Sequence, residues 1–200
     1  MVACAATDKG NATREMILDR AYQLAARKGL EGLSIGELAT AAKMSKSGVF
    51  AHFGSREDLQ LAVIEYGAER FTQRVFTPAL NAKRGLPRLR VIVEGWFDWV
   101  RENRHGCVLM GAVAEYDARP GAQRDRIVVL MDQWRIATAR AISLAVDACE
   151  LRTDTDTRQF AFEIYGIALA LHQDTRLFDP KQARTHAERA FERLIAAYSR

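Results

Sequence analysis

The stretch from Ser34 to Arg56, SIGELATAAKMSKSGVFAHFGSR, constrains the fold more than any other part of the chain. Ser34 and Glu37 have the spacing of a capping box, which predicts that a helix begins just after Ser34. Apolar residues then recur at three- and four-residue spacing, as they do on one face of a helix. Ser45 is a second helix-capping candidate shortly afterwards. Two short helices joined by a tight turn are the outline of a helix-turn-helix.

A helix-turn-helix suits double-stranded DNA, because an α-helix fits the major groove, which is roughly 12 Å wide. The first helix crosses the backbone, and the N-terminal residues of the second meet base edges. No acidic residue lies between Ser45 and Arg56, so the local charge is positive and attracts phosphate. The spacing alone leaves one alternative open, since many helical proteins contain two capped helices and a turn. The basic side chains here are Lys43, Lys46, His52 and Arg56.

Residues from about Thr13 to Ile64 resemble the DNA-binding domain of the TetR (tetracycline-repressor-type) family of transcriptional regulators. The resemblance rests on R-K-G at the end of a first helix, S-I-x-E-L-A in the second, S-K-S-G-V-F-A-H-F in the third and S-R-E-D-L in the fourth. It implies an all-α, nine-helix, two-domain regulator. An N-terminal three-helix domain would carry the helix-turn-helix, and a C-terminal helical domain would bind a ligand and dimerise.

The resemblance also implies roles for individual residues. Ser34 would cap its helix and touch a phosphate, while residues 46–48 would approach base edges. His52 and Arg56 would hold phosphates, and at Arg56 the free amides of a helix N-terminus would also favour an anion. The DNA-binding residues predicted in this way are Ser34, Lys43, Ser45, Lys46, Ser47, Gly48, Phe50, His52 and Arg56.

Three departures from the family pattern concern these contacts. Tyr is common where this chain has Phe50, so a phosphate-bonding hydroxyl is missing. Thr is common at Gly48, and Gly removes a side chain that could read a base. Gly is frequent at the turn position held by Lys43; if φ is positive there, Lys costs up to about 1 kcal/mol. The fold expectation is unaffected, but the identity of the base contacts stays open.

Whole-chain properties restrict the remaining classes of protein. The formal charge of +4 is compatible with nucleic acid but is weak evidence by itself. No apolar run approaches the roughly 20 residues that cross a bilayer, and the first ten residues lack the features of a secretory signal. The three cysteines are far apart, which disfavours disulfides and zinc sites. We therefore predict a cytoplasmic protein with no membrane partner, no cofactor and no metal site.

Helical periodicity continues to the end of the chain, without strand-like alternation of useful length. The first helix is predicted from about Thr13 to Lys28, and Pro78 is predicted to stop the fourth, because the residue before proline avoids helical angles. The predicted domains are a flexible N-terminal tail (1–12), a helix-turn-helix domain with the start of the fourth helix (13–60), and a ligand-binding and dimerisation domain (61–200).

Two surfaces are predicted in the C-terminal part. An apolar effector cavity could be lined by Trp96, Trp99, Cys107, Met110, Glu115, Tyr116, Trp134 and Phe162. A two-fold dimer interface could be formed by Phe162, Tyr165, Gly166, Leu169, Phe191, Leu194, Ile195 and Tyr198. For both sets the alternative is packing inside one subunit, which is favoured for any single cavity candidate. A buried free thiol is likewise favoured over a sensor at Cys107.

The function predicted from these features is a ligand-responsive transcriptional regulator that binds DNA as a homodimer. We expect a repressor, released from a palindromic operator by a small-molecule effector. The alternative is a helical small-molecule-binding or adaptor protein without specific DNA binding, which Gly48 and Phe50 would suit. Catalysis is disfavoured, because Cys107 and Glu115 stand eight residues apart, which is about 12 Å along one helix. The effector, the operator and the sign of regulation stay open.

Overall fold

The computed structural model describes the backbone of residues 2–199 and the side chains of residues 10–199. Within that part of the chain the fold is all-α, as predicted, and extended pairing is confined to one isolated bridge between Leu151 and Ser199. No helix there is long and apolar enough to cross a membrane. The helices are α1 (Val2–Lys28), α2 (Ile35–Ala42), α3 (Lys46–Phe53), α4 (Arg56–Val75), a 3-10 helix (Pro78–Asn81), α5 (Leu86–Glu102), α6 (Val108–Tyr116), α7 (Ala122–Asp147), α8 (Thr157–Leu177) and α9 (Pro180–Tyr198).

The first helix begins earlier than the sequence predicts. Its backbone is helical from Val2 rather than from about Thr13, and only Met1 of the predicted tail lies outside the described backbone. The segment before Thr13 is rich in Ala, the best helix former, and Gly10 is its one strongly unfavourable residue. The helix ends as predicted, since Gly29 follows it with a φ of 78°, a conformation that glycine adopts without a Cβ penalty.

The chain divides into two compact units that do not follow chain order. The first unit contains Met1–Glu69 and Gly106–Val128, and the second contains Arg70–His105 and Val129–Arg200. The sixth helix therefore belongs with the N-terminal helices, and α1 packs against α6. The predicted division at residue 61 stays a prediction.

The first unit has a core built from the apolar faces of its short helices. Ile17 of α1, Leu38 of α2 and Val49 of α3 are all fully buried. The segment that leads into α6 lies directly against α1, because a Cβ on Gly106 would stand 1.6 Å from the carbonyl oxygen of Ala26. Only glycine permits this approach, so Gly106 fixes where α6 sits within the unit.

The second unit is centred on aromatic side chains. The ring of Phe71 lies 4.6 Å from that of Trp134 and 5.5 Å from those of Trp96 and Trp99, measured between centroids. The indole nitrogen of Trp134 donates a hydrogen bond to Thr72 Oγ1 at 3.2 Å. Edge-to-face rings of this kind add to the apolar area that they bury. The cluster joins α4, α5 and α7 within the unit.

Candidate nucleic-acid interface

Ser34 caps α2, and half of the predicted capping box is formed. The Ser34 hydroxyl accepts a hydrogen bond from the Glu37 amide at 3.2 Å, with extended backbone at Ser34. The Glu37 carboxylate does not reach back to Ser34; it accepts from the Lys28 ammonium at 2.7 Å instead. That ion pair ties the start of α2 to the end of α1.

The turn between α2 and α3 is a Schellman motif with a lysine at its left-handed residue. Lys43 has φ 53° and ψ 43°. Its amide donates to Thr40 O at 3.1 Å, and the Met44 amide donates to Ala39 O at 2.9 Å. These two bonds satisfy carbonyls that would otherwise be unpaired at the helix end. The positive φ considered in the sequence analysis is therefore present, and Lys43 occupies a position that favours glycine.

Ser45 begins α3 as predicted. Its backbone is extended, and its hydroxyl accepts from the Gly48 amide at 3.1 Å and contacts the Ser47 hydroxyl at 3.1 Å. Val49 and Phe53 point into the core, being 0% and 8% exposed. The helix therefore buries one face and presents the other to solvent, which is the disposition that a groove-reading helix needs.

The outward face of α3 carries Lys46, Ser47, Phe50 and Ala51, all of which are exposed. The Lys46 stem runs beside α2, since a Cβ built on Gly36 would lie 3.2 Å from Lys46 Cε. Lys46 forms no ion pair with any residue whose side chain the structure describes, so no described carboxylate cancels its charge. Phe50 is 46% exposed, so its ring is open to a partner on this face. His52 is half-buried beside Phe53.

Arg56, predicted to hold a phosphate, is engaged by the loop between α1 and α2. Its terminal NH2 donates to Glu31 O at 2.5 Å and contacts the Glu31 carboxylate at 3.3 Å. Its Nε donates to Leu33 O at 3.3 Å. The guanidinium thus braces the loop, although about half of the side chain stays exposed. A phosphate contact from Arg56 remains a prediction, and it would have to share the guanidinium with these acceptors.

The same loop is held from the other side by α6. The Glu115 carboxylate accepts hydrogen bonds from the amides of Leu30, at 3.1 Å, and Glu31, at 2.8 Å. It also comes so close to Gly29 that a Cβ there would lie 2.0 Å from Glu115 Oε1. The Tyr116 hydroxyl donates to the Glu31 carboxylate at 2.6 Å. Glu115 and Tyr116, predicted to line an effector cavity, therefore have structural partners in the loop between α1 and α2, within the first unit.

Two pKa shifts follow from this arrangement. The hydrogen bond from Tyr116, with the charges of Arg56 and Arg119, lowers the pKa of Glu31 below its ordinary 4.5, although desolvation opposes the shift. Burial, and then the bond to Glu31, raises the pKa of Tyr116. Glu31 is thus held as a carboxylate and Tyr116 as a neutral donor.

Sequence reasoning missed a buried glutamine beside this loop. Gln60 is 4% exposed; its amide nitrogen donates to Leu30 O at 2.9 Å, and its amide oxygen accepts from Gln123 at 3.0 Å. Gln60 falls on the apolar face of α4 next to Leu59, so the signal was a polar residue at a core position. A buried amide needs partners, and here they come from the loop and from α7.

The other predicted cavity residues are distributed between the two units. In the first unit Cys107 is 5% exposed at the start of α6, and Met110 follows in that helix. In the second unit Trp99 is buried in the aromatic cluster, whereas Phe162 is 60% exposed. Trp96 and Trp134 line a space of about 10 Å³, the room of one water. Trp134 also lines a larger cavity of about 440 Å³ in the same unit.

The predicted dimer residues fall into an inward and an outward group. Phe191 and Ile195 are buried in the chain itself, and Tyr198 stacks on Phe160 with ring centroids 4.5 Å apart. Tyr165 packs near Trp96, and Leu169 is half-buried on α8. In contrast, Gly166 and Leu194 line an open groove of about 590 Å³ between α8 and α9. Phe162 is exposed on α8.

Comparison with known protein families agrees with this geometry. Residues 17–63 match the family described as bacterial regulatory proteins, tetR family. Residues 85–191 match the family described as tetracyclin repressor-like, C-terminal domain, which is more than half of the chain. The protein therefore belongs to the TetR family of DNA-binding transcriptional regulators.

Individual relatives cover the chain to different extents. It is 35% identical over 74 residues to the HTH-type transcriptional repressor AcnR of Corynebacterium glutamicum, a match spanning 37% of this chain and 39% of that protein. A TetR transcriptional regulator from Chloroflexus aurantiacus is 25% identical, with a TM-score of 0.79 and coverage of 94% and 95% of the two chains. AibR, in complex with isovaleryl coenzyme A and operator DNA, shares the fold at 24% identity, with a TM-score of 0.71 and coverage of 88% and 96%.

Proposed function

We propose that this regulator is a homodimeric repressor that binds a roughly palindromic operator and leaves it when a small-molecule effector binds. The observation that carries the proposal is the outward face of α3, where Lys46 is exposed and has no ion-pair partner among the described residues, while Val49 and Phe53 anchor the helix from behind. In this reading Lys46 and Ser47 meet base edges. Phe50 meets the methyl group of a thymine, the apolar feature of the major groove.

The repressor assignment is supported by relatives. AcnR is named as a repressor, and the match to this chain spans 39% of that protein's length. AibR shares the fold and has been solved with both an acyl-coenzyme A and operator DNA. Release by an effector requires that the effector bind one conformation more tightly than the other, since equal affinity shifts nothing.

The DNA-binding proposal can be tested by selecting bound duplexes from a random-sequence library and then measuring affinity for the selected site. Lys46→Ala should weaken specific binding by about tenfold or more, because a base contact is worth about 1–3 kcal/mol. Lys83→Ala is the matched control, since Lys83 is exposed in the second unit. Failure to enrich any duplex would contradict the DNA-binding proposal. Equal affinities of wild type and Lys46→Ala would remove Lys46 from the contact set.

The dimer proposal rests on the groove between α8 and α9, where small residues leave room for a second copy. Ala170 lines this groove, so Ala170→Glu should give a monomer by sedimentation and should weaken operator binding. Ala196→Glu adds the same charge at an exposed position of α9 that does not line the groove. A dimer that survives Ala170→Glu would place the interface elsewhere.

A further inference from the structure

A cavity in the second unit has the size and lining of a small-molecule site. Its volume is about 440 Å³, within the roughly 300–1,000 Å³ usual for ligand pockets. The end of α4, the 3-10 helix, the start of α5 and the middle of α7 form its walls. Most of the lining is apolar, and its larger apolar side chains are Phe76, Leu80, Ile92, Trp134 and Leu144. Such a surface favours an apolar chain or ring.

Two arginines, Arg88 and Arg140, interrupt this apolar lining, and no acidic residue lines the cavity. Neither arginine forms an ion pair with a carboxylate in the part of the chain that the structure describes. The remaining polar side chains of the lining are Thr72, Thr77 and Gln133. Thr72 already accepts from Trp134, and Thr77 already donates to a backbone carbonyl. The cavity therefore presents positive charge that no described carboxylate pairs with.

Arg88 is held in place without being neutralised. Its terminal NH2 donates to Leu80 O at 3.2 Å and to Ala82 O at 3.0 Å. Its Nε is buried and has no hydrogen-bond partner among the described residues. A buried donor without an acceptor is rare and unfavourable, and its free-energy cost is larger when the group is charged. Because the buried Nε is closed to the cavity, an anion there would meet Arg88 through the charge of its guanidinium rather than through this donor.

We propose that this cavity binds an amphipathic monocarboxylate, with an aliphatic or aromatic body against the apolar wall and the carboxylate toward Arg140 and Arg88. A guanidinium matches a carboxylate in shape, because its N–H donors form two parallel bonds to the two oxygens. The regulatory meaning of this site rests on the proposed function, whereas the binding itself does not. The proposal names the chemical class of effector that the repressor would respond to.

The binding test uses calorimetry on the full chain without DNA. The probes are octanoate, decanoate and 3-phenylpropanoate, with octanamide and octylammonium as neutral and cationic counterparts of octanoate. We expect at least one acid to bind, octanoate to exceed octanamide by about tenfold or more, and octylammonium not to bind. Decanoate should bind more tightly than octanoate, because each further buried CH₂ adds affinity. No binding by any acid, or equal affinity for octanoate and octanamide, would overturn the proposal.

Charge-deletion variants identify the site. Arg140 is exposed, so Arg140→Gln should fold normally; it should weaken octanoate binding about tenfold and leave octanamide binding unchanged. Arg158→Gln removes the same charge from the second unit, at an exposed position outside the cavity lining, and should change neither affinity. An unchanged octanoate affinity in Arg140→Gln, or an equal loss for both probes, would contradict the assignment.

A second measurement separates this proposal from the repressor proposal. The selected duplex is titrated with the tightest acid, and the fraction of bound DNA is followed. Acid binding without any duplex binding would contradict the repressor and leave the site intact. Duplex binding with no affinity for the acids would contradict the site and leave the DNA-binding function. Acid binding that does not displace the duplex would overturn the regulatory role of the site.

Discussion

The face of α3 and the cavity of the second unit both present cations that form no ion pair with a described residue, but they are built in different ways. Every residue of the α3 face lies between Ser34 and Arg56, and its shape is set by serine hydroxyls at the caps and by backbone hydrogen bonds in the turn. The cavity draws its walls from residues 72 to 144, and tertiary packing alone brings them together. Its two arginines, half-buried Arg88 and exposed Arg140, border an apolar lining, whereas Lys46 stands on an exposed helix face. The first arrangement suits a polyanion of fixed shape, and the second suits a small amphipathic anion.

Replacing a glycine that lies close to neighbouring backbone should cost much more stability in the first unit than in the second. Gly106→Ala in the first unit should lower the free energy of unfolding by more than about 3 kcal/mol, because backbone must move. In the second unit, a Cβ on Gly95 would lie 3.3 Å from Val75 Cα, a contact that small shifts relieve. Gly95→Ala should therefore cost about 1 kcal/mol or less, since Ala also favours a helix.

Urea unfolding of the two variants measures this difference. Gly10→Ala serves as the control, because a Cβ there would meet nothing within 4 Å and helix propensity should rise. Similar losses for Gly106→Ala and Gly95→Ala would mean that the first unit can adjust its backbone as readily as the second.

Arg56 tests whether the α3 side of the molecule uses its cations for DNA or for its own loop. Arg56→Ala should lower the free energy of unfolding by about 1–2 kcal/mol, because two backbone carbonyls lose their donor. Arg56→Lys keeps the charge but loses the several N–H donors of the planar guanidinium, so it should recover only part of that stability.

The salt dependence of operator binding separates the two roles. If Arg56 also holds a phosphate, Arg56→Ala should flatten the slope of log affinity against log salt by about one unit, and Arg56→Lys should not. An unchanged slope in both variants would assign Arg56 to bracing alone.

The sequence predicted the first region much better than the second, for a physical reason. Caps and helix faces depend on neighbours within a few residues, so the Ser45 cap and the buried side of α3 could be predicted, whereas the positive φ of Lys43 was only a condition suggested by the family pattern. Cavity lining depends on which helices meet. Of the predicted cavity residues only Trp134 lines the 440 Å³ space, while Glu115 and Tyr116 bond to the loop after α1. A carboxylate and a phenol in a helix reveal nothing about a partner some eighty positions away.

Lowering the pH should destabilise the first unit, because Glu31 becomes protonated. Because the folded pKa of Glu31 is lowered, its ionised form stabilises the fold above about pH 4.5, and this contribution is lost as the pH falls through the lower folded value. Glu31→Gln should therefore reduce the melting temperature near neutral pH, and the difference from wild type should shrink toward pH 3. Glu69→Gln, at an exposed position of α4, is the control. A difference that stays constant with pH would show that the carboxylate charge is not involved.

The smallest effect expected is a gain in stability at the turn itself. Lys43 has a φ of 53°, so Lys43→Gly should raise the free energy of unfolding by about 0.5–1 kcal/mol, as the Cβ penalty of the left-handed conformation disappears. Lys43→Ala removes the charge and keeps the Cβ, so the difference between the two variants isolates the backbone term from electrostatics. If Lys43→Gly and Lys43→Ala are equally stable, the left-handed residue carries no strain. If Lys43→Gly gains stability yet loses operator affinity to the same extent as Lys43→Ala, then the lysine is retained at this strained position for its charge toward DNA.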